Sequence, residues 1–212
     1  MLPATHAGSW YPVGQRLTNM LTTAFDKATL NSQSHGSVKA IVVPHAGYEY
    51  CIATAAFAFK SVDPSNYTRV IILGPSHRLY VTHCTIADAT SFETPYGNIP
   101  FDTDSTKHLT SKFPKLFKRL DIPTASNEHS LEMECPILKF LFDQKQKEFT
   151  VLPIMVGAIS DEKAKEVAEA LSPIVNDPQT LLVVSSDFSH WGNSFDYTYL
   201  PEDSKGTIPD RI

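Results

Sequence analysis

Three apolar, β-branched runs in this chain each stop at a short turn that carries a histidine. Val38–Val43 leads into Pro44-His45-Ala46-Gly47-Tyr48, Val70–Leu73 into Gly74-Pro75-Ser76-His77, and Leu181–Val184 into Ser185-Ser186-Asp187-Phe188-Ser189-His190-Trp191-Gly192. Runs this short and this continuously apolar fit strands covered on both faces, as in a parallel sheet between helices. Such sheets gather their chemistry at the carboxyl ends of the strands, so the pattern directs His45, His77 and His190 toward one crevice.

The segments between the runs supply the helices. Leu17, Met20, Leu21, Ala24, Phe25 and Ala28 recur at helical spacing, which predicts an amphipathic helix over 15–30. The Ala- and Phe-rich stretch Cys51–Phe59 predicts a helix packed on the sheet, so the first two runs read as a βαβ unit. Cys84–Ala89 reads as a further strand and Thr94-Pro95-Tyr96-Gly97-Asn98 as a hairpin turn or an irregular excursion. Asp102 or Asp104 caps a helix running to about Lys112, and Lys112–Arg119 reads as its solvated end. Leu131–Phe142 predicts a helix restricted by Pro136. Val151–Val156 reads as a strand with Pro153 at a bulge or edge, and Ser160 caps a helix striped by Ala164, Val167, Ala168 and Leu171. The expectation is an α/β fold, a mostly parallel central sheet flanked by helices, in one domain over 1–212.

Composition excludes several function classes. The 212 residues carry a net charge of -5, and apart from 112–119 the basic side chains are scattered, so nothing here attracts nucleic acid. Cys51, Cys84 and Cys135 are too few and too far apart for a disulfide framework or a zinc knuckle. No apolar stretch approaches the roughly 20 residues of a membrane span, and the amino terminus lacks the regions of a signal peptide. The expected location is the cytoplasm, with entry to the nucleus compatible.

The eight histidines exceed what packing requires and point to metal or acid/base chemistry. Neutral imidazole on a short strand-end turn presents a lone pair from a fixed direction, so His45 and His77, on neighbouring strand ends, are the candidate ligands of a site suited to Fe(II) and similar ions. His190 reads either as a third ligand or as an uncoordinated acid/base, with Asp187 orienting it. A single histidine after a strand is commonly a turn residue; the repetition carries the argument. Glu128-His129-Ser130-Leu131-Glu132 reads first as a helix cap, with Ser130 or Asn127 as the capping residue, and second as Glu128 and His129 behind or beside the metal. His6 belongs to a turn anchored by aromatics and is a further candidate at the rim, whereas His35, His83 and His108 read as surface residues. Ser76, Ser185 and Ser186 lack a nucleophile elbow, and Cys51 reads as a packed small residue near the crevice.

Thr5-His6-Ala7-Gly8-Ser9-Trp10-Tyr11, Val43-Pro44-His45-Ala46-Gly47-Tyr48, Leu73-Gly74-Pro75-Ser76-His77, Glu128-His129-Ser130-Leu131-Glu132-Met133, Pro153-Ile154-Met155-Val156-Gly157 and Ser185-Ser186-Asp187-Phe188-Ser189-His190-Trp191-Gly192 together resemble, in the same order, the Memo family. That family is named for mediating receptor-tyrosine-kinase-driven cell motility. The resemblance implies a fold similar to the class III extradiol, non-haem-iron dioxygenases. His45 and His77 then match the family's metal-binding histidines, and His190 matches the dioxygenases' catalytic base. It implies an iron or copper ion and a redox role in signalling. The family's third ligand is a cysteine in a carboxyl-terminal segment, a motif in which none of Cys51, Cys84 and Cys135 falls, so the expectation is a chain lacking that segment. Two other functions stay open: a ring-cleaving dioxygenase, and a non-catalytic module whose crevice binds a signalling protein or phosphopeptide, with positively charged histidines or Arg78 receiving the anionic group.

Overall fold

The computed structural model describes residues 1–30, 37–188 and 190–200; His35 lies outside them. Its chain order is α1 (Gly14–Lys27), β1 (Ala40–Val43), α2 (Tyr48–Lys60), β2 (Arg69–Pro75), β3 (Cys84–Ala87), β4 (Ser91–Phe92), β5 (Ile99–Pro100), α3 (Thr103–Lys112), β6 (Phe117–Leu120), α4 (Ile122–Ala125), α5 (Cys135–Asp143), β7 (Thr150–Val156), α6 (Asp161–Val175) and β8 (Thr180–Ser185). Six strands form one sheet in the order β1-β8-β2-β7-β3-β6, and β4 and β5 pair separately as the expected hairpin. All neighbours in the large sheet are parallel except β3 and β7, which makes it the mostly parallel α/β sheet that the sequence predicts and agrees with the dioxygenase-like resemblance.

Alternation along the central strands divides the core between two layers. Val70 and Ile72 of β2 and Leu181 and Val183 of β8 face Leu17 and Leu21 of α1, Ala55 and Phe59 of α2, and Leu138 and Phe142 of α5. Ile71, Leu152 and Ile154 face the other way, toward Leu109 of α3 and Val167, Ala170 and Leu171 of α6. Each of the Val, Leu, Ile and Phe side chains among them, fully withdrawn from water, contributes about 1.5–3 kcal/mol. The helix caps follow the sequence: Asp102 accepts from the Ser105 backbone N–H and Ser160 from that of Lys163.

Four sequence expectations are corrected. β1 and β2 are not neighbours, because β8, apolar on both faces, inserts between them. Pro153 sits inside β7 rather than at an edge; β3 pairs with β7 only at Met155 and Val156, so no ladder on that side is interrupted at the proline. The residues read as a solvated helix end include β6, which buries Phe117 and exposes Lys118 and Arg119 at the sheet edge, where charge discourages further pairing. In α6 the buried stripe runs through Val167, Ala170 and Leu171, with Ala164 and Ala168 exposed.

Candidate metal centre

The site begins where β1 and β8 end. Val43 pairs with Ser185 in register, and the Ser186 N–H donates to the Val43 carbonyl at 2.8 Å, so the two strand ends stay stitched as they leave the sheet. Pro44-His45 then turns under the start of α2. The His45 backbone N–H donates to Asp187 Oδ1 at 2.8 Å, and its ring Nδ1 lies 2.8 Å from Ser185 Oγ. His45 is thereby buried, at 2% exposure. Burial lowers its pKa below the ordinary histidine value, outweighing the opposing pull of Asp187.

His77 stands past the end of β2 and is held from the other side. Glu128 Oε2 accepts its backbone N–H at 2.6 Å, and Glu128 Oε1 lies 2.9 Å from its Nδ1. Oε1 also accepts the backbone N–H groups of His129 and Ser130, each at 3.0 Å. Burial of Glu128 favours the neutral acid, yet the donors from His77 and Ser130 outweigh it and bring the pKa down to about 2. The helix-cap reading of 128–132 is therefore replaced. Glu128 carries the turn at His77, and Ser130 Oγ donates to the Pro75 carbonyl at 2.8 Å. Gly74 makes this possible: a Cβ there would stand 2.7 Å from Ser130 Oγ and 3.0 Å from Leu131 Cδ2, so only glycine lets the 128–131 segment lie on the end of β2.

The fold brings His45, His77 and His129 together, with one ring nitrogen from each lying within 4.8 Å of the others. The ring centroids are 5.2 Å apart for His45 and His77, 5.4 Å for His45 and His129, and 4.6 Å for His77 and His129. His45 and His129 are buried and His77 forms the exposed rim. Trp10 backs His129 at 4.3 Å between ring centroids. Burial, set against the Glu128 charge, brings the His129 pKa down to about 4, so its imidazole is neutral at physiological pH. Its Nδ1 lies 3.3 Å from Glu128 Oε1 without hydrogen-bond geometry and is a buried polar atom lacking a partner. Three convergent imidazoles, one with an unpartnered buried nitrogen, form a donor set that fits a divalent transition metal.

The remaining candidates are placed around this trio. His6 packs 6.0 Å from His129, its Nδ1 2.7 Å from Glu132 Oε2, while its backbone N–H and the Tyr11 hydroxyl share Glu132 Oε1. His190 stands outside the trio, exposed, against Phe195 in an open groove it shares with Tyr50, Asp187 and Trp191. Asp187 accepts the His45 N–H and reaches only to 3.7 Å from His190 Nε2, too far for the orienting hydrogen bond. Cys51 is packed, with Sγ against the Ala46 carbonyl, and burial pushes its thiol up to about 12. Sequence reasoning gave His129 only a peripheral place and passed over Ser185 as a support and Glu134 altogether. The available signal for Glu134 was an acid embedded in the apolar run Leu131–Phe142.

A mostly parallel α/β sheet with three imidazoles gathered beyond the ends of its strands defines an α/β protein whose histidine cluster can hold a metal ion. The sequence matches the Memo-like protein family over residues 3–211, and the chain belongs to that family. It is 39% identical over 206 residues to Protein MEMO1 of Danio rerio and 38% identical over 206 residues to that of Homo sapiens, covering 97% of this chain and 67% of each relative. It is 42% identical over 207 residues to the MEMO1 family protein MHO1 of Saccharomyces cerevisiae, covering 92% of this chain and 61% of that one. The chain thus spans about two-thirds of the length of these relatives. Among the described residues no helix is long and apolar enough to cross a membrane.

Proposed function

We propose that this chain binds an iron or copper ion through His45, His77 and His129 and serves a redox role in signalling linked to cell motility. The observation that carries the reading is the convergence of three imidazole nitrogens within 4.8 Å of one another. Two of those imidazoles have Nδ1 engaged, His45 at Ser185 and His77 at Glu128, which leaves Nε2 of each for a ligand. A partner on the second nitrogen fixes tautomer and ring direction, the usual support of a metal-bound histidine. When bound, iron or copper supplies one-electron redox chemistry and a Lewis-acidic coordination position. The protein's own part is to hold the imidazoles ready, with His77 at the open rim and His45 and His129 buried. In this reading His190, in the neighbouring groove, exchanges protons with a group bound there, and His6 packs beside His129.

The test is metal uptake by the wild type and by the double variant His45→Ala, His77→Ala, each loaded anaerobically with Fe(II) and separately with copper. Stoichiometric uptake by the wild type, lost in the double variant, supports the reading. Equal uptake by both contradicts it. Oxygen consumption by the iron-loaded protein with a panel of catechols would instead assign ring cleavage, and phosphopeptide affinity that survives chelation and the double substitution would assign a binding module.

A further inference from the structure

Ser185 Oγ has more neighbours than its single proton can serve. It lies 2.6 Å from the Ser130 carbonyl oxygen, 2.8 Å from Glu134 Oε1 and 2.8 Å from His45 Nδ1. The carbonyl can only accept, so the hydroxyl proton goes to Ser130. Both other contacts must then donate to the Ser185 oxygen, which accepts two hydrogen bonds and gives one, its full capacity. That requires a hydrogen on His45 Nδ1 and a hydrogen on Glu134 Oε1.

A second observation agrees. Glu134 is 0% exposed, and its other oxygen, Oε2, is buried without any hydrogen-bond partner. An ionised carboxylate would leave half of its charge on that atom with nothing to solvate it, whereas the carbonyl of a neutral acid tolerates the position far better. Asp187, Tyr48, Cys51 and Cys135, all acids, face Glu134, and the base His45 meets it only through Ser185 and is itself disfavoured as a cation by burial, so among the described residues no cation is identified that offsets a charge there.

We propose that Glu134 is a neutral carboxylic acid in the folded protein and that, through Ser185, it holds His45 in the tautomer protonated on Nδ1, with Nε2 presented to the metal. Glu134 is a positioning residue, touching neither ion nor substrate. The metal half of this inference rests on the three-histidine reading; the proton inventory does not. The arrangement makes His45 a ligand of fixed direction before any ion arrives.

The experiment compares metal-free wild type with Glu134→Gln, Glu134→Leu and Ser185→Ala, using infrared difference spectra near neutral pH and ¹⁵N shifts of the His45 ring. The expected results are an un-ionised carboxyl band present in wild type and lost in Glu134→Gln, and a protonated Nδ1 on His45 in wild type. Gln, which offers an N–H at the same place, keeps that tautomer. Leu and the Ser185→Ala change shift it toward a mixture, and Ser185→Ala weakens copper affinity about tenfold. Identical carboxyl bands in wild type and Glu134→Gln, or a His45 protonated on Nε2 in wild type, overturn the proposal. Should the Gln variant fail to fold, the Glu134 carboxyl ¹³C shift in labelled wild type decides between acid and carboxylate at mildly acidic pH. A wild type that takes up no metal yet displays the acid band and the Nδ1 proton would sink the metal reading alone.

Discussion

His45 and His77 are held for the same purpose by opposite electrostatics. At His77 the supporting carboxylate, Glu128, collects the ring Nδ1 and three backbone N–H groups and stays ionised, with a pKa near 2. At His45 the support is a hydroxyl, Ser185, backed by Glu134, whose complete burial raises its pKa to about 8. Two acids six residues apart in sequence, both buried, take different charge states because one meets four donors and the other, wholly withdrawn from water, meets only a hydroxyl whose hydrogen goes to the Ser130 carbonyl. Donor count and depth together set the protonation state of a buried carboxyl group.

The sharpest way to break the comparison is to make the same substitution on both sides. Glu128→Gln places an amide N–H₂ among donors and leaves at least one of them unmatched. It should cost about 3 kcal/mol in denaturant unfolding and weaken metal affinity tenfold or more. The contribution of Glu128 is present above its ordinary value of 4.5 and lost as the pH falls toward 2, so the stability gap between wild type and variant should close over that acid window.

Gly74→Ala should come next. The new methyl meets Ser130 Oγ and displaces the segment carrying Glu128 and His129, at a cost of about 1–3 kcal/mol with weaker metal uptake. A crystal structure of the variant with that segment unmoved would contradict the role assigned to the glycine. Ser185→Ala should cost about 1–2 kcal/mol, since the Ser130 carbonyl and His45 Nδ1 both lose their partner.

Glu134→Gln should be mildest, within about 1 kcal/mol of wild type in mild acid. Its pH dependence runs opposite to that of Glu128. A carboxyl whose folded pKa is raised from 4.5 to about 8 contributes fully below 4.5 and loses that contribution as the pH rises through 8. Wild type should therefore lose ground to Glu134→Gln across that interval, at up to about 1.4 kcal/mol per pH unit. Parallel unfolding curves for the two proteins from acid to mild alkali would mean that Glu134 ionises freely.

How much of this was legible in the sequence differs between elements. The strand-end histidines were, because β1, β2 and β8 are apolar runs cut off by Pro, Gly or a polar Ser-Ser-Asp turn, a local pattern. Strand order was not. Nothing local says that β8, the last strand, lies between the first two, and that insertion is what carries Ser185 and Asp187 to His45. The 128–132 cluster misled for a related reason: Asn127, Ser130 and Glu132 have the spacing of a helix start, while the partner of Glu128 is a turn 51 positions away. Glu134 was hidden because an acid in an apolar stretch reads as the polar edge of a helix until its burial is seen.

The central claim is that three imidazoles meet at one ion, and metal-edge X-ray absorption of the loaded protein tests it most directly. The account predicts imidazole scattering from about three nitrogens at roughly 2.0–2.2 Å, falling by one in His129→Ala. A bound ion surrounded by light atoms without imidazole scattering, or a count that His129→Ala leaves unaltered, would contradict it.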